Sequence, residues 1–429
     1  MAKGWGVVSG TLVVAAATSL AVGAGRAARE VVFVGARVVD VEAGRLVDDV
    51  TIVVRDGRVE AIGPAGQVSI PEGAARVDLR RRVVVPGFVS AHVHVGDVHG
   101  DRPRAHTDEN TRRQLALFAR HGITTVLSLD GEGEPGFRHR HAPPASSAGL
   151  ARFYLSGDAI AAATPEEARA KVADMAARRP DFIKIRVDDN LGTAKKMPPD
   201  VYRAIIDEAH GRGLRVAAHI FYLDDAKALL RAGVDVIAHS VRDRDIDEDF
   251  IALMKARDVP YCPTLTRELS TFVYESTPSF FSDPFFLREA DQAVVARLKA
   301  PEGQRALAAS RSAQAYKAGL VVATRNLKRA ADAGLRVVMG TDAGPLPERF
   351  QGFFEHLEME MMVDAGLTTA QVLRAATIEG ARVLRLDEVG RLAPGTWADM
   401  IVLERNPLDD IRHTRSIASV YVAGNEVPR

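Results

Sequence analysis

The sequence predicts an α/β fold: a (β/α)8 barrel of the TIM type, with a small sheet structure beside it made from both ends of the chain. A phrase of helix, glycine and buried strand recurs through the middle of the chain, and eight strands can be recognised there. Short strand-like runs at the two ends predict the sheet. Repeated helix-then-strand units give a parallel sheet covered by helices, and eight units favour a closed barrel over an open sheet.

The two ends of the chain share a sequence pattern of short runs rich in β-branched residues. At the start these runs are residues 31–34, 51–54 and 58–62, and Asp56-Gly57 between the last two is a hairpin signal. Residues 398–403 and 419–425 have the same character. Because neither end is long enough for a domain of its own, we expect residues 29–87 and 388–429 to form one β domain together.

The middle of the chain, residues 88–387, carries the predicted barrel. Gly122, Gly213, Gly233 and Gly334 each stand between a helical segment and an apolar strand, where a helix C-cap needs a left-handed residue. Asp258 occupies the same place in a similar unit. The candidate strands open near residues 88, 124, 152, 182, 215, 235, 259 and 336.

One interval interrupts this rhythm, between the seventh strand and the eighth. Residues 267–333 form an insertion on a loop that leaves the carboxyl end of a strand, the catalytic face of such barrels. The insertion is rich in aromatic residues: Phe272, Tyr274, Phe280, Phe281, Phe285 and Phe286. These rings either form a lid over a substrate or pack the inserted helices onto the barrel, and the sequence leaves both alternatives open.

Composition excludes several classes of function. The 429 residues include 56 Lys plus Arg and 56 Asp plus Glu, so the chain has no excess positive charge for nucleic acid or anionic lipid. We therefore expect a small-molecule partner, and a homo-oligomer remains possible. The single cysteine, Cys262, is expected in the core, and any metal must be held by nitrogen and oxygen ligands.

The first 28 residues resemble an export signal. Lys3 precedes an apolar run over residues 6–22 that ends in the small residues Gly23, Ala24 and Gly25. Several Ser, Thr and Gly residues dilute the run, which disfavours a permanent membrane span. We expect residues 1–28 to be a cleaved signal peptide, with the mature protein periplasmic or secreted and not stably bound to the membrane; the alternative is an uncleaved anchor.

Five candidate metal ligands occupy equivalent places at the ends of predicted strands. His92 and His94 are two residues apart, so both imidazoles point to one face of their strand. His219, His239 and Asp342 each follow a buried strand. Because the carboxyl ends of all strands meet at one rim of a barrel, we expect these five residues to share a metal site.

Lys184 is the residue that distinguishes a two-metal site from a one-metal site. It lies inside the apolar strand segment at residues 182–185, where an unpaired ammonium group is costly to bury. A lysine amine reacts with CO2 to give an anionic carbamate that can bridge two metal ions. The alternative is an ion pair between Lys184 and Asp188 or Asp189.

With these motifs the chain resembles the amidohydrolase superfamily, and within it the branch of imidazolonepropionase and the Xaa-Pro or Xaa-Arg dipeptidases. The resemblance covers everything after the signal and rests on His219, His239 and residues 86–94, 182–185, 340–344, 364–368, 374–377 and 395–399. It implies that the chain ends form a β-sandwich. It also implies a first metal held by His92, His94 and Asp342, a second held by His219 and His239, and carboxylated Lys184 between them. The metal in such sites is most often zinc.

The function implied is hydrolysis of a C–N amide bond in a small substrate, such as a dipeptide or N-acyl amino acid, by a metal-bridging hydroxide. Asp342 would take the hydroxide proton and pass it to the leaving nitrogen. Ring opening of a cyclic amide is an alternative, and a non-catalytic binding protein on the same scaffold is an alternative of another class.

Departures from the family pattern concern the substrate loops. Deaminases of the superfamily usually carry glutamate where this chain has Tyr222, which disfavours deamination; dipeptidase-like relatives often have tyrosine where it has Phe221. Arg186, Tyr222 and Arg242 are candidate substrate-binding residues. Arg186 and Arg242 can grip a substrate carboxylate; alternatively, Arg242 and Arg244 pair with Asp243 and Asp245, with which they alternate.

Overall fold

The structure is a computed structural model and describes residues 30–142 and 148–429. The predicted export signal, residues 1–28, lies outside the described residues. The strands are β1 (Glu30–Asp40), β2 (Arg45–Arg55), β3 (Arg58–Pro64), β4 (Ala75–Asp78), β5 (Val83–Pro86), β6 (Phe88–Val93), β7 (Val98–His99), β8 (Arg102–Pro103), β9 (Ile123–Ser128), β10 (Arg152–Leu155), β11 (Phe182–Arg186), β12 (Arg215–His219), β13 (Val236–Ile237), β14 (Met400–Leu403), β15 (Ile417–Val422) and β16 (Asn425–Glu426).

The helices alternate with the strands through the middle of the chain and become consecutive in the insertion. They are α1 (Asp108–Arg120), α2 (Gly133–His139), α3 (Pro165–Ala177), α4 (Pro199–Gly211), α5 (Leu223–Ala232), α6 (Glu248–Ala256), α7 (Leu265–Leu269), α8 (Pro284–Leu287), α9 (Gln292–Leu298), α10 (Pro301–Ala308), α11 (Arg311–Asp332), α12 (Phe353–Asp364), α13 (Thr369–Arg374) and α14 (Gly380–Val383). Within the described parts of the chain, no helix is long and apolar enough to cross a membrane.

Both chain ends contribute to one eight-stranded sheet, as the sequence predicts. Its order is β16-β15-β14-β5-β1-β2-β3, with β4 also paired to β1. The antiparallel pair β14 and β5 joins the two ends, in a register that places Met400 opposite Pro86. Asp56 and Gly57 form the hairpin turn between β2 and β3, with φ of 50° and 83°. Such left-handed backbone at both central residues matches the twist of the flanking strands.

The barrel strands pair in parallel in the order of the sequence. β6, β9 and β10 form one run of three strands, and β11, β12 and β13 form another. The two runs meet where the Asp181 amide donates a 2.8 Å hydrogen bond to the Leu155 carbonyl and where Ile160 bridges Ile185. Six of the eight predicted strands therefore appear as regular parallel strands in neighbouring positions.

The seventh and eighth strands close the ring through single bridges and hydrogen bonds. Tyr261 pairs in parallel with Ile237 of β13 on one side and with Val337 on the other. The Ala91 amide of β6 then donates to the Met339 carbonyl at 2.9 Å. The strand paths thus return to β6, which gives the predicted (β/α)8 barrel.

The positions predicted to cap helices adopt left-handed backbone. Gly122, Gly213, Gly233 and Gly334 have φ between 74° and 102°. Asp258 has φ of 50°, although this conformation is unfavourable for a residue with a Cβ atom. Aspartate tolerates it better than most residues, so the unit with Asp258 keeps the turn of the glycine units.

Five of the six aromatic residues named in the insertion, all but Phe272, pack in one cluster with α12 and the segment before it. Phe280 lies 5.2 Å from Phe353 and Phe286 lies 4.8 Å from Phe350, measured between ring centroids. Phe286 is only 1% exposed. These rings hold the inserted helices against the barrel, so the packing alternative is confirmed for them. Cys262 is fully buried in the core, as expected.

Candidate active site

The six predicted metal-site residues lie together at the carboxyl ends of the barrel strands. His92 is in β6 with His94 just beyond it, Lys184 is in β11, His219 ends β12, and His239 and Asp342 follow the sixth and eighth strands. All but His92 line a cavity of about 260 Å³, and His92 is fully buried beside them. The other lining residues are Leu129, Asp130, Ala159, Arg186, Arg267, Pro345, Leu346 and Arg349.

His92, His94 and Asp342 form a compact group able to hold a metal ion. Their ligand atoms all lie within 4.8 Å of one another. Oδ1 of Asp342 is 2.8 Å from Nε2 of His94 and 3.2 Å from Nε2 of His92. Asp342 has φ of 58°, so its carboxylate is aimed at the histidines by a backbone conformation that few residues adopt.

The charge of Asp342 is fixed by its neighbours. Burial alone would raise its pKa, but the Arg349 guanidinium and hydrogen bonds with His92 and His94 hold the pKa of Asp342 well below its usual range. Arg349 donates a hydrogen bond from Nη1 to Oδ2. Burial would likewise lower the pKa of His94, but the Asp342 and Asp97 carboxylates raise it to about 10. The Asp342 side chain is therefore an anion, as a metal ligand must be.

Lys184 does not pair with Asp188 or Asp189, the two partners that the alternative required. Its Nζ lies 3.3 Å from Nε2 of His92, and burial lowers the pKa of Lys184 to about 8. Asp188 instead contacts Nε2 of His219 at 3.0 Å and accepts from Arg186. Asp189 accepts a hydrogen bond from the Tyr222 hydroxyl. The two carboxylates considered for the ion pair are thus used elsewhere.

His219 and His239 form the second histidine pair. Their ring centroids are 4.2 Å apart, and that of His92 is 4.8 Å from that of His239. Nδ1 of His239 lies 2.7 Å from the Thr264 hydroxyl, whereas its Nε2 is buried without a hydrogen-bond partner among the described residues. A buried, unpaired imidazole nitrogen among other ligands fits a site for a cation.

The three predicted substrate-binding residues differ in position. Arg186 lines the cavity with its side chain half exposed, and its Nε donates to Asp188 at 3.1 Å. The Tyr222 hydroxyl donates a hydrogen bond to the Asp189 carboxylate. Arg242 is completely buried and donates to Glu268 and to the Ile220 carbonyl, so its guanidinium stabilises the loop after the seventh strand and does not face the cavity. This position favours the alternative that Arg242 pairs with a carboxylate of the protein, here Glu268, over contact with a substrate carboxylate.

Several residues of the site were not predicted, among them Asp188, Thr264, Arg267 and Arg349. Asp188 contacts His219, and Thr264 contacts His239. Arg267 and Arg349 line the cavity beside Asp342. Asp188 follows a strand, and this position was a usable signal. Thr264, Arg267 and Arg349 lie in loops or in a short helix, where the sequence carries no periodicity to show which way a side chain points.

The fold and the site together define the class. A sequence model of the Amidohydrolase family matches residues 83–427, so the chain belongs to that family. An uncharacterized protein of Mycobacterium tuberculosis is 30% identical over 221 residues, which cover 49% of this chain and 56% of that protein. The chain thus spans little more than half the length of the first curated relatives it matches.

Other similar proteins cover most of the chain. An imidazolonepropionase of Streptomyces coelicolor is 27% identical over 379 residues, 84% of this chain and 86% of that enzyme. A crystal structure of a candidate prolidase from Bifidobacterium longum superimposes with a TM-score of 0.76 at 26% identity, and the match covers 94% of this chain and 95% of that one. These are similarities of sequence and fold over both the barrel and the sheet.

Proposed function

We propose that this chain is a metal-dependent hydrolase that cleaves a C–N amide bond in a small substrate of the dipeptide or N-acyl amino acid type. The observation that carries the proposal is the convergence of two histidine pairs, Asp342 and Lys184 at one buried cavity. Membership in the Amidohydrolase family supports it. The candidate prolidase, which is similar over nearly the whole chain, also favours an amide of this type.

The candidate ligands form two groups, one for each of two metal ions. His92, His94 and Asp342 would hold the first, and His219 and His239 the second, with zinc the expected metal. The Nε2 atom of His239 is buried without a partner among the described residues. A cation bound to this nitrogen would remove the free-energy cost of burying an unpaired polar atom. Lys184 lies beside His92 and lines the same cavity as His219 and His239.

We propose that Lys184 carries a carbamate. The ammonium group would first lose one proton to give the amine; the amine nitrogen would then bond the carbon of CO2 and lose a second proton, so that a buried cation becomes an anion. The position of Nζ, 3.3 Å from a histidine nitrogen, supports this because two cations held side by side need an anion near both. Asp188 and Asp189, the two carboxylates considered as partners of an ammonium group, are hydrogen-bonded to other residues.

When bound, divalent ions supply Lewis acidity at the substrate carbonyl and lower the pKa of water. The chain's own residues then govern proton movement. Asp342 accepts the proton of the attacking water and returns it to the leaving nitrogen, which is a poor leaving group until it is protonated. Arg349 orients this carboxylate through its hydrogen bond to Oδ2.

Ring opening of a cyclic amide is the second candidate. The observation that favours it is the match to an imidazolonepropionase over 84% of this chain. A non-catalytic binding protein is less well supported, because the described residues hold a complete set of candidate ligands in one cavity.

A substrate screen of the zinc-loaded protein against N-acyl amino acids, dipeptides and lactams tests the proposal. We expect turnover of a linear amide, and loss of that turnover in Asp342→Asn. Turnover of lactams alone would favour the second candidate. Binding of these compounds without turnover of any would contradict hydrolysis and favour the binding protein.

A further inference from the structure

We infer that Arg267 binds the carboxylate of the substrate, so that the enzyme selects amides with a free carboxylate close to the scissile bond. The inference rests on the proposed function and deepens it. Arg267 lies in α7, at the start of the insertion, and its side chain is 7% exposed. It lines the same cavity as the candidate metal ligands.

Arg267 is the middle member of a buried chain of charges. In order along this chain the groups are Arg242, Glu268, Arg267, Asp342 and Arg349. Three guanidinium groups thus share two carboxylates, and all five side chains are at most 9% exposed. A buried network with one excess positive charge is costly unless an anion completes it.

The outer two arginines of this chain are already engaged. Arg242 donates to Glu268 and to the Ile220 carbonyl, well inside the protein. Arg349 donates to Asp342 and, from Nε, to the Ser270 hydroxyl at 3.1 Å. Nε of Arg242 has no partner among the described residues, but Arg242 is not among the residues that line the cavity; Nε and Nη1 of Arg349 are both used within the protein.

Arg267 keeps donor capacity that the protein does not use. Its Nη1 donates to Glu268 at 2.9 Å, and its Nη2 has only a long 3.4 Å contact with the Tyr316 hydroxyl. Its Nε is buried without a hydrogen-bond partner among the described residues, and Oδ2 of Asp342 lies 4.0 Å away. A carboxylate in the cavity can accept from Nε and Nη2 in the bidentate geometry that arginine favours.

The distance from Arg267 to Asp342 indicates where that carboxylate stands in the substrate. The scissile carbonyl must approach Asp342, since this residue moves the proton to the leaving nitrogen. In a dipeptide or N-acyl amino acid, the carboxylate carbon is three bonds from the carbonyl carbon. Arg267 beside Asp342 therefore suits an α-carboxylate on the leaving amine and disfavours one on a long flexible arm.

Of the two other arginines that line the cavity, Arg349 is paired with Asp342, so Arg186 is the competing cation. Its side chain is half exposed at the rim, and its guanidinium already donates to Asp188. Water screens an ion pair at such a position, so its contribution to selectivity should be small. It provides the matched variant for the test.

The test compares N-acetyl-L-leucine with its carboxamide, N-acetyl-L-leucinamide, on the zinc-loaded full chain. Equilibrium binding by calorimetry and kcat/KM are both measured. We expect wild type to prefer the acid about 10- to 100-fold, the range for hydrogen bonds to a charged group. Arg267→Met should remove that preference by weakening the acid only, Arg267→Lys should keep part of it, and Arg186→Met should keep most of it.

The outcomes separate this inference from the proposed function. Acid-selective binding that depends on Arg267, without turnover of either compound, would contradict hydrolysis and leave the carboxylate site standing. Wild type that binds the acid no tighter than the carboxamide, or binds neither, would overturn the inference even if another amide is hydrolysed. Loss of selectivity in Arg186→Met and not in Arg267→Met would overturn it as well.

Folding of the variants is checked by thermal unfolding against Arg242→Met, which removes the other partner of Glu268. Both variants should be destabilised, but only Arg267→Met should lose the preference for the acid. Should Arg267→Met fail to fold, Arg267→Lys and the wild-type comparison of the two probes still decide the question.

Discussion

The hydroxyl oxygen of Thr264 lies 2.7 Å from Nδ1 of His239, at the point where the seventh strand ends. A hydrogen bond donated by Nδ1 leaves the lone pair of the imidazole on Nε2, the atom that is buried without a partner among the described residues. The backbone of Thr264 is left-handed, with φ of 50°. This contact thus orients a candidate metal ligand from outside the ligand set.

Replacement of Thr264 by valine tests that orientation. Valine keeps the shape and branching of threonine but cannot accept from Nδ1, so we expect metal affinity to fall about 10- to 100-fold. Competition with a chelator measures the change. Thr266→Val is the control, because Thr266 lies two residues further along, in α7, and its hydroxyl donates to Glu358 of α12 and not to His239. Equal losses of metal affinity in the two variants would show that the contact between Thr264 and His239 is not the cause.

Metal content distinguishes a two-metal site from a one-metal site. We expect close to two divalent ions per chain in active protein, measured by elemental analysis after dialysis. Asp342→Asn should retain most of the fold and lower turnover by at least about 10²- to 10⁴-fold, the usual contribution of a positioned proton carrier. Full activity with a single ion per chain would contradict the proposed binuclear site.

Lys184 is tested by replacing the carbamate chemically. Lys184→Ala should lose most activity, because it removes the proposed anion between the two cations. Acetate or propionate can enter the vacated space, so adding either acid should restore part of the activity. Lys184→Arg keeps a positive charge but forms no carbamate, and it should stay inactive with the same acids. Near-normal rates and two metals in Lys184→Arg would show that the lysine is structural.

Metal-free protein should lose stability in alkali. Burial opposes protonation of His94, but Asp342 and Asp97 raise its pKa to about 10, against 6.5 for an ordinary histidine. The folded state therefore holds a proton that the unfolded state releases, so this contribution to stability is complete below pH 6.5 and is lost as the pH rises through about 10. Thermal unfolding of chelator-treated protein checks this. Asp97→Asn should reduce the slope of stability against pH. A slope equal to that of the wild type would contradict the assignment of this effect to His94.

The export prediction concerns the beginning of the chain. Because the apolar run of residues 6–22 ends in small residues, the mature protein should begin between about residues 24 and 30. N-terminal sequencing of the protein purified from its native host measures this directly. A chain that begins at Met1 or Ala2 would show that the segment is not removed.

The sequence by itself determined the barrel, the shared sheet and the position of the candidate ligands. Helix-then-strand units have a local signal, since a left-handed residue must stand between them, and Gly122 and even Asp258 adopt that conformation. The rim at which parallel strands end is a property of the fold. Knowing that His219, His239 and Asp342 follow strands was therefore enough to bring them together.

Only the tertiary structure decided which charges face the cavity. Arg242 and Arg267 are alike as sequence features, yet one is sealed inside the protein with Glu268 and the other lines the cavity. The same holds for the aromatic insertion, whose rings pack against Phe350 and Phe353. Loops and short helices lack a repeating geometry, so the direction of their side chains depends on long-range packing and on ion pairs that no local pattern records.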